Sequence, residues 1–234
     1  MNILKISIRL KAVADMVTVG NRIADIGTDH GYVPIYLIKN NISPTALAMD
    51  INKGPLDKAI RNIKAFGLED RITTRQSNGL DKLNEGETDT VIISGMGGQL
   101  IIEILNKNRT LLETIDELVL LPHREVYEVR QYLHSIGYAI VCENAVKDEG
   151  KYYQIIKAKK GSEPAYSQLE YMYGRNNLNK LNETLKELLI FEKKKYESLL
   201  SELIQKDTQS SLQRQEELKH LIELTNRGLS YYEM

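Results

Sequence analysis

Four short stretches of this chain gather acids, amides and glycines at spacings that suit recognition of a small polar ligand. The first is Ala24-Asp25-Ile26-Gly27-Thr28-Asp29-His30-Gly31. A glycine at such a turn lets the backbone approach a ligand closely, and the helix start beyond it favours polar or anionic groups. It is not the G-x-G-x-x-G dinucleotide fingerprint, because only Gly27 and Gly31 are present and an acid begins the turn. Asp25 suits a cationic or amino-bearing ligand better than a pyrophosphate. The second is Asp50, followed by Ile51, about 20 residues or slightly more beyond the glycine turn, where a carboxylate can accept both hydrogen bonds of a ribose diol. The third is Asn78-Gly79, just beyond the third apolar run. In the fourth, Ser94-Gly95-Met96-Gly97-Gly98, glycines leave the backbone bare enough for a flat ring to reach main-chain amides and carbonyls.

These stretches need a frame that brings them together. Short apolar runs, RIADIG, TALAMD, RITTRQ, TDTVIISG and ELVLLPH, are of strand length, and each is followed by a helix-compatible stretch. Helices are expected over 32–40, 53–66 and 99–106, with another over 126–136 stopped at Gly137. The segment 138–160 reads as two strands joined by a polar turn around Asp148 to Gly150. Alternating strands and helices imply βαβ crossovers and a mainly parallel sheet, with all four stretches at strand C-termini, the edge where open α/β sheets bind ligands. Ile3, Ile6, Leu10, Val13, Ala14 and Val17 predict an opening amphipathic helix carrying Lys5, Arg9 and Lys11 on its polar face.

Beyond Gly161 and Pro164 the texture is helical, which divides the chain into an α/β domain at 1–160 and a helical domain at 161–234. Leu178, Leu181, Leu185, Leu188, Tyr196, Leu199 and Leu203 form one stripe, and Leu218, Leu221, Ile222 and Leu229 a second. Two antiparallel helices turning at Lys206 to Ser211 would bury both. Pairing between copies through the same stripes is the rival account, so the expectation is a monomer or weak homodimer.

Apolar residues are 42% and charged residues 27% of 234, ordinary globular usage. A formal net charge of -1 gives no overall positive field for a nucleic acid, although a local basic patch suffices for phosphate contacts. Cys142 is the single cysteine, which excludes an internal disulfide and a multi-cysteine metal site and fits a reducing compartment, by default the cytoplasm. The first residues lack a secretory signal pattern, and no run approaches the ~20 apolar residues of a membrane span. His123, His134 and His220 lack metal-ligand spacing, so no metal and no chemistry is assigned to them.

An acidic glycine turn after the first strand, paired with an acid after the second, is the layout by which methyltransferases hold S-adenosylmethionine. On ADIGTDHGYVPIYLI at 24–38, Lys53-Gly54-Pro55, ISGMGGQLI at 93–101 and KYYQIIKAKK at 151–160, the chain resembles the TrmK family of bacterial tRNA adenine N1-methyltransferases over nearly its whole length. The resemblance implies a Rossmann-like class I methyltransferase domain with a helical C-terminal domain shaped as a coiled-coil-like hairpin. It implies S-adenosylmethionine as cofactor and N1 of adenine 22 in tRNA as acceptor. The cofactor residues would be Asp25, Gly27, Asp50, Ile51, Asn78, Gly79, Ser94, Gly95, Met96 and Gly97. The family usually has Asp-Gly-Leu where this chain has Asn78-Gly79-Leu80, and Gln-Pro-Asn where it has Leu121-Pro122-His123, so no role is carried over to residues 122–124.

Positive charge develops over N1 and the exocyclic amine of adenine as N1 takes a methyl group, and a carboxylate near that amine would stabilise it. Asp29 is the candidate for this role, with His30 orienting the base or the carboxylate. Tyr32 would stack on a base turned out of the tRNA. RNA contacts are expected from Lys5, Arg9 and Lys11, and from Lys193, Lys194 and Lys195. The latter run lies between Glu192 and Glu197, so intrahelical pairing competes with phosphate binding. The alternatives are a methyltransferase of a small molecule or protein whose C-terminal helices form a dimer surface, and a catalytically idle tRNA-binding module.

Overall fold

The computed structural model describes residues 4–204 and 208–233 and divides into two compact units, one ending at Pro164 and one beginning at Ala165. The first unit is built on seven strands, β1 (Ile23–Ile26), β2 (Ala46–Asp50), β3 (Ile72–Gln76), β4 (Thr90–Met96), β5 (Glu117–Pro122), β6 (Tyr138–Asp148) and β7 (Lys151–Lys160). Their order across the sheet is β3-β2-β1-β4-β5-β7-β6. The first five are parallel, and β7 joins β5 and β6 antiparallel. Central strands of a parallel sheet are covered on both faces and so read as continuous apolar runs. That is the state of Ile92, Ile93, Val119 and Leu120, all fully buried.

Helices α1 (Ile8–Ala14), α2 (Tyr32–Lys39), α3 (Lys53–Ala65), α4 (Gly98–Lys107), α5 (Arg109–Leu112) and α6 (Val126–Ser135) complete the unit. The chain runs outward from β1 through β2 to β3, then returns to lay β4 on the other side of β1. This reversal leaves a crevice at the strand C-termini, the switch point where doubly wound sheets bind ligands. The hairpin between β6 and β7 turns at Glu149 and Gly150, both at positive φ (48° and 76°), as the tightest turns between twisted strands require.

Two local expectations are corrected. The opening helix is shorter than the apolar series suggests. Ser7 accepts a hydrogen bond from the Leu10 N–H (3.4 Å) and starts α1 at Ile8, so Lys5 precedes the helix; Ile3 lies outside the described residues. No helix among the described residues follows β3. The stretch Ser77 to Asp89 is turns, because Gly79 and Gly86 sit at positive φ, while Leu80 and Leu83 anchor it in the core. The single turn α5, held by buried Leu112, carries no periodic signal.

The second unit contains α7 (Gln168–Tyr173), α8 (Arg175–Asn179), α9 (Glu183–Leu203) and α10 (Gln209–Ser230). The expected leucine series is broken at its start, since Leu178 belongs to α8 and Leu181 is exposed at φ 52°. Asn182 then caps α9 by accepting from the Leu185 N–H (3.0 Å). Helices α9 and α10 run antiparallel. The Tyr232 hydroxyl donates to the Asn182 carbonyl (2.8 Å) near one end, and Gln215 donates to the Leu203 carbonyl (3.1 Å) near the other. Of the expected turn at Lys206 to Ser211, Lys206 lies outside the described residues and Gln209 to Ser211 already belong to α10, capped by Thr208. No helix among the described residues is long and apolar enough to cross a membrane.

One buried pair ties α6 to the antiparallel edge. Arg130 donates to Glu143 (2.7 Å) on β6 and to Gln154 (2.7 Å) on β7, with both ion-pair side chains fully buried. Glu143→Leu would take from the buried guanidinium the carboxylate it is bonded to, at an expected cost of about 3–5 kcal/mol, whereas adding Arg130→Met should recover most of it. Denaturant unfolding of the single and double variants measures both.

Candidate active site

Two clefts open at the C-terminal ends of β1, β2 and β4. One, of about 330 Å³, is lined by Asp50, Ile51, Asn78, Met96, Leu100 and Ile104 among others. Its neighbour, of about 210 Å³, is lined by Arg9, Asp25, Thr28, Asp29, His30 and His123 among others. Gly27, Ser94 and Gly95 line both, so the clefts meet over bare backbone.

The larger cleft is apolar on its walls and polar at its edge. Ile51 and Leu100 are exposed to 53% and 47%, unusual for aliphatic side chains, and both border it. Asp50 ends β2 almost buried, and its Oδ1 accepts from the Asn52 N–H (2.8 Å). Its Oδ2 accepts no hydrogen bond from the described residues, so half of the carboxylate is left for a ligand. The Ser77 N–H donates to the Asp50 carbonyl (2.9 Å), which holds the Asn78-Gly79 turn beside that carboxylate.

The smaller cleft centres on Asp25, buried at 3% exposure at the heart of β1. Burial pushes its carboxyl up to about 7; the nearby Thr28 side chain opposes the rise and the Asp50 carboxylate adds to it. The Thr28 hydroxyl is itself buried and finds no hydrogen-bond partner of ordinary geometry among the described residues. The backbone N–H groups of Gly27 and Thr28 both donate to the Met49 carbonyl (2.8 and 3.0 Å), which locks the glycine turn onto the end of β2. Asp29 follows at φ 49° with its carboxylate mostly exposed, and His30 Nε2 lies 3.5 Å from it. The His30 ring stacks on Tyr32 with centroids 5.2 Å apart and planes 3° from parallel. Helix α2 is capped by Gly31, with no side-chain bond, so neither Asp29 nor His30 is committed to capping.

Where the two clefts meet, geometry demands glycine at 27 and 95. Gly27 has φ 74°, and a Cβ there would meet Met96 Cε at 2.4 Å. Gly95 has φ 85° and interrupts the β4–β5 ladder, whose register shifts between Ser94 and Met96. This bulge turns the strand end so that its backbone faces the clefts.

The clefts gather Asp25, Gly27, Asp50, Ile51, Asn78, Gly79, Ser94, Gly95, Met96, Asp29, His30, Tyr32 and Arg9 from the sequence expectations. Gly97 lines neither. It caps α4, and the first amide inside that helix, on Gly98, is taken by the Glu125 carboxylate (3.0 Å) and the Arg124 carbonyl (3.1 Å). Arg9 is not a free surface cation, because it pairs with Asp148 (3.2 Å) at the β6–β7 hairpin. Lys11 pairs with Asp15 (2.6 Å), and in the second unit Lys193 lies 4.0 Å from Glu197. Sequence reasoning missed Leu100 and Ile104, whose helical spacing reads as core, and His123. His123 stands just past the end of β5, on the same sheet edge, and that position was the available signal.

A family model described as a methyltransferase domain matches residues 6–156. The chain is 37% identical over 165 residues, 70% of its length and 69% of the relative's, to the tRNA (adenine(22)-N(1))-methyltransferase of Bacillus subtilis. The chain belongs to the TrmK family. Solved structures of two family members align over nearly all of it. One is B. subtilis m1A22 tRNA methyltransferase TrmK (TM-score 0.87, 29% identity, 97% of this chain and 100% of that one). The other is M. capricolum TrmK in complex with S-adenosylhomocysteine (TM-score 0.84, 31% identity, 97% and 98%).

The TrmK-family cofactor, S-adenosylmethionine, fits the groups present. The unsatisfied Thr28 hydroxyl, the open oxygen of Asp50 and the glycine-bared backbone are what an amino acid, a ribose and a sulfonium would occupy. Asp25 also sets a pH dependence. The folded protein holds a proton on Asp25 up to pH about 7, whereas the unfolded chain releases it near 3.8. Stability contributed by this site is therefore lost as pH rises between those values. Asp25→Asn should remove this loss, making the ligand-free protein more stable than wild type by an amount that grows from pH 4 to pH 7 to on the order of 3 kcal/mol. Thermal melts across that range check the difference.

Proposed function

We propose that the protein transfers the methyl group of S-adenosylmethionine to N1 of adenine 22 in tRNA. The observation that carries this reading is the joined pair of clefts, one suited to a nucleoside and the other lined by a buried acid, an exposed acid and a stacked aromatic pair, meeting at Gly95. Membership of the TrmK family supports the choice of acceptor.

In this reading the N-terminal unit is the catalytic domain. Asp50 accepts the ribose hydroxyls, Ile51 and Leu100 enclose the donor's adenine, and Asn78 meets its edge. Asp25 and Thr28 receive the donor's amino group, whose positive charge returns Asp25 to its ionised state. The donor supplies a methyl group on a sulfonium, which the adenine N1 lone pair can displace without an enzyme-bound intermediate. The protein's contribution is alignment and electrostatics. The stacked His30–Tyr32 pair offers a platform for the acceptor base, and the Asp29 carboxylate opposes the positive charge that grows on it. The helical unit would contact tRNA through cations such as Lys194 and Lys195, which are exposed, with Lys193 divided between phosphate and Glu197.

Labelled S-adenosylmethionine with an unmodified tRNA transcript should place label on adenine 22. Asp50→Ala should abolish donor binding measured by calorimetry. Asp29→Ala should lower kcat by about 10–100-fold with donor affinity unchanged. Label entering a protein or small molecule in place of tRNA would refute the reading, and near-wild-type turnover by Asp29→Ala would remove Asp29 from it.

A further inference from the structure

His123 stands apart from the other histidines. His134 Nε2 lies 2.9 Å from Glu163, His220 Nε2 lies 2.9 Å from Gln168, and His30 faces Asp29. The His123 ring makes no hydrogen bond to the described residues, yet it is held in place. Its backbone N–H donates to the Met96 carbonyl (2.8 Å), and its ring packs tilted against Tyr153 with centroids 5.5 Å apart. Behind Tyr153 the Arg9 guanidinium lies 5.5 Å from the ring centroid, itself anchored to Asp148. The exposed Nε2–Cε1 edge faces Gly95, within 3.8 and 3.9 Å of where a Cβ on that residue would stand. An unsatisfied imidazole edge therefore looks across the bare glycine shared by the two clefts.

Resting on the reading that the acceptor is an adenine, we infer that His123 is the contact that recognises its exocyclic amine, with Nε2 accepting a hydrogen bond from N6–H. As the N1 lone pair forms a bond to the methyl carbon and the sulfur takes the electrons of the broken S–C bond, positive charge spreads onto N6. A hydrogen bond from N6–H to a neutral acceptor strengthens along that path, so the contact favours the transition state over the bound substrate. The imidazole is kept neutral for this task. Partial burial holds its pKa below the usual histidine range, and the charges of Arg9, Lys151 and Arg124 lower it further. An asparagine carboxamide oxygen is also a hydrogen-bond acceptor, so His123→Asn keeps the kind of contact proposed while His123→Phe removes it.

The test uses two tRNAs, one with adenine at position 22 and one with purine there, which lacks the amine, and three proteins: wild type, His123→Asn and His123→Phe. Thermal melts and calorimetric donor binding confirm that each variant is folded and loaded. Wild type and His123→Asn should bind the adenine tRNA about 10-fold more tightly than the purine tRNA, and His123→Phe should bind both alike, with kcat/KM on adenine down by on the order of 100-fold. Discrimination by His123→Phe equal to that of wild type would overturn the inference while leaving the tRNA reading intact. Absence of label from the adenine tRNA with wild type would overturn both.

Discussion

A carboxyl buried without a cation is costly, and among the described residues Asp25 is such a group, set where the strand order reverses. The cost follows from topology. β1 lies between β2 and β4, so its last side chains are enclosed by both neighbours and by the turn that Gly27 and Thr28 anchor to Met49. The surrounding features are intelligible as what makes this tolerable. The carboxyl's pKa is raised to about 7, the Thr28 hydroxyl beside it has no partner of ordinary geometry among the described residues, and the glycines at 27 and 95 leave room for a ligand amine that would complete the set. A buried carboxyl of this kind is the usual exchange of stability for function at a binding centre.

Much of this was legible in the sequence because parallel strands announce themselves. The centres of runs such as TALAMD and ELVLLPH, Ala46 to Met49 and Leu118 to Pro122, are continuously apolar, and an acid at the end of such a run stands at the sheet's C-terminal edge. Asp25, Asp50 and the glycine-rich turn at 95–98 could thus be placed on one rim from their positions alone. The β6–β7 hairpin was equally plain, from two long amphipathic strands around Glu149-Gly150.

What stayed hidden depended on contacts distant in sequence. His123 gains meaning only because β5 lies beside β4, which sets its ring opposite Gly95. Arg9 reads as one of several surface cations until Asp148, 139 residues away, is seen to hold it against the cleft wall. Leu100 and Ile104 carry helical spacing that cannot distinguish a core stripe from a ligand wall. Cap chemistry also overrode periodicity, as Ser7 shortened α1 and Asn182 began α9 after the leucine series had started. Paired cations at Arg9, Lys11 and Lys193 agree with a net charge of -1, so recognition of a nucleic acid would draw more on base contacts and shape than on a broad positive field.

In the proposed function the two clefts form one binding site for a sulfonium nucleoside, with Asp50 at its ribose and Asp25 at its amino group. A crystal structure with S-adenosylhomocysteine bound tests it most directly. The expected result is a ligand spanning both clefts, its ribose hydroxyls bonded to Asp50, its amine beside Asp25 and its sulfur next to Gly95. A ligand lodged in any other cavity, or one whose ribose and amine contact neither acid, would contradict the account.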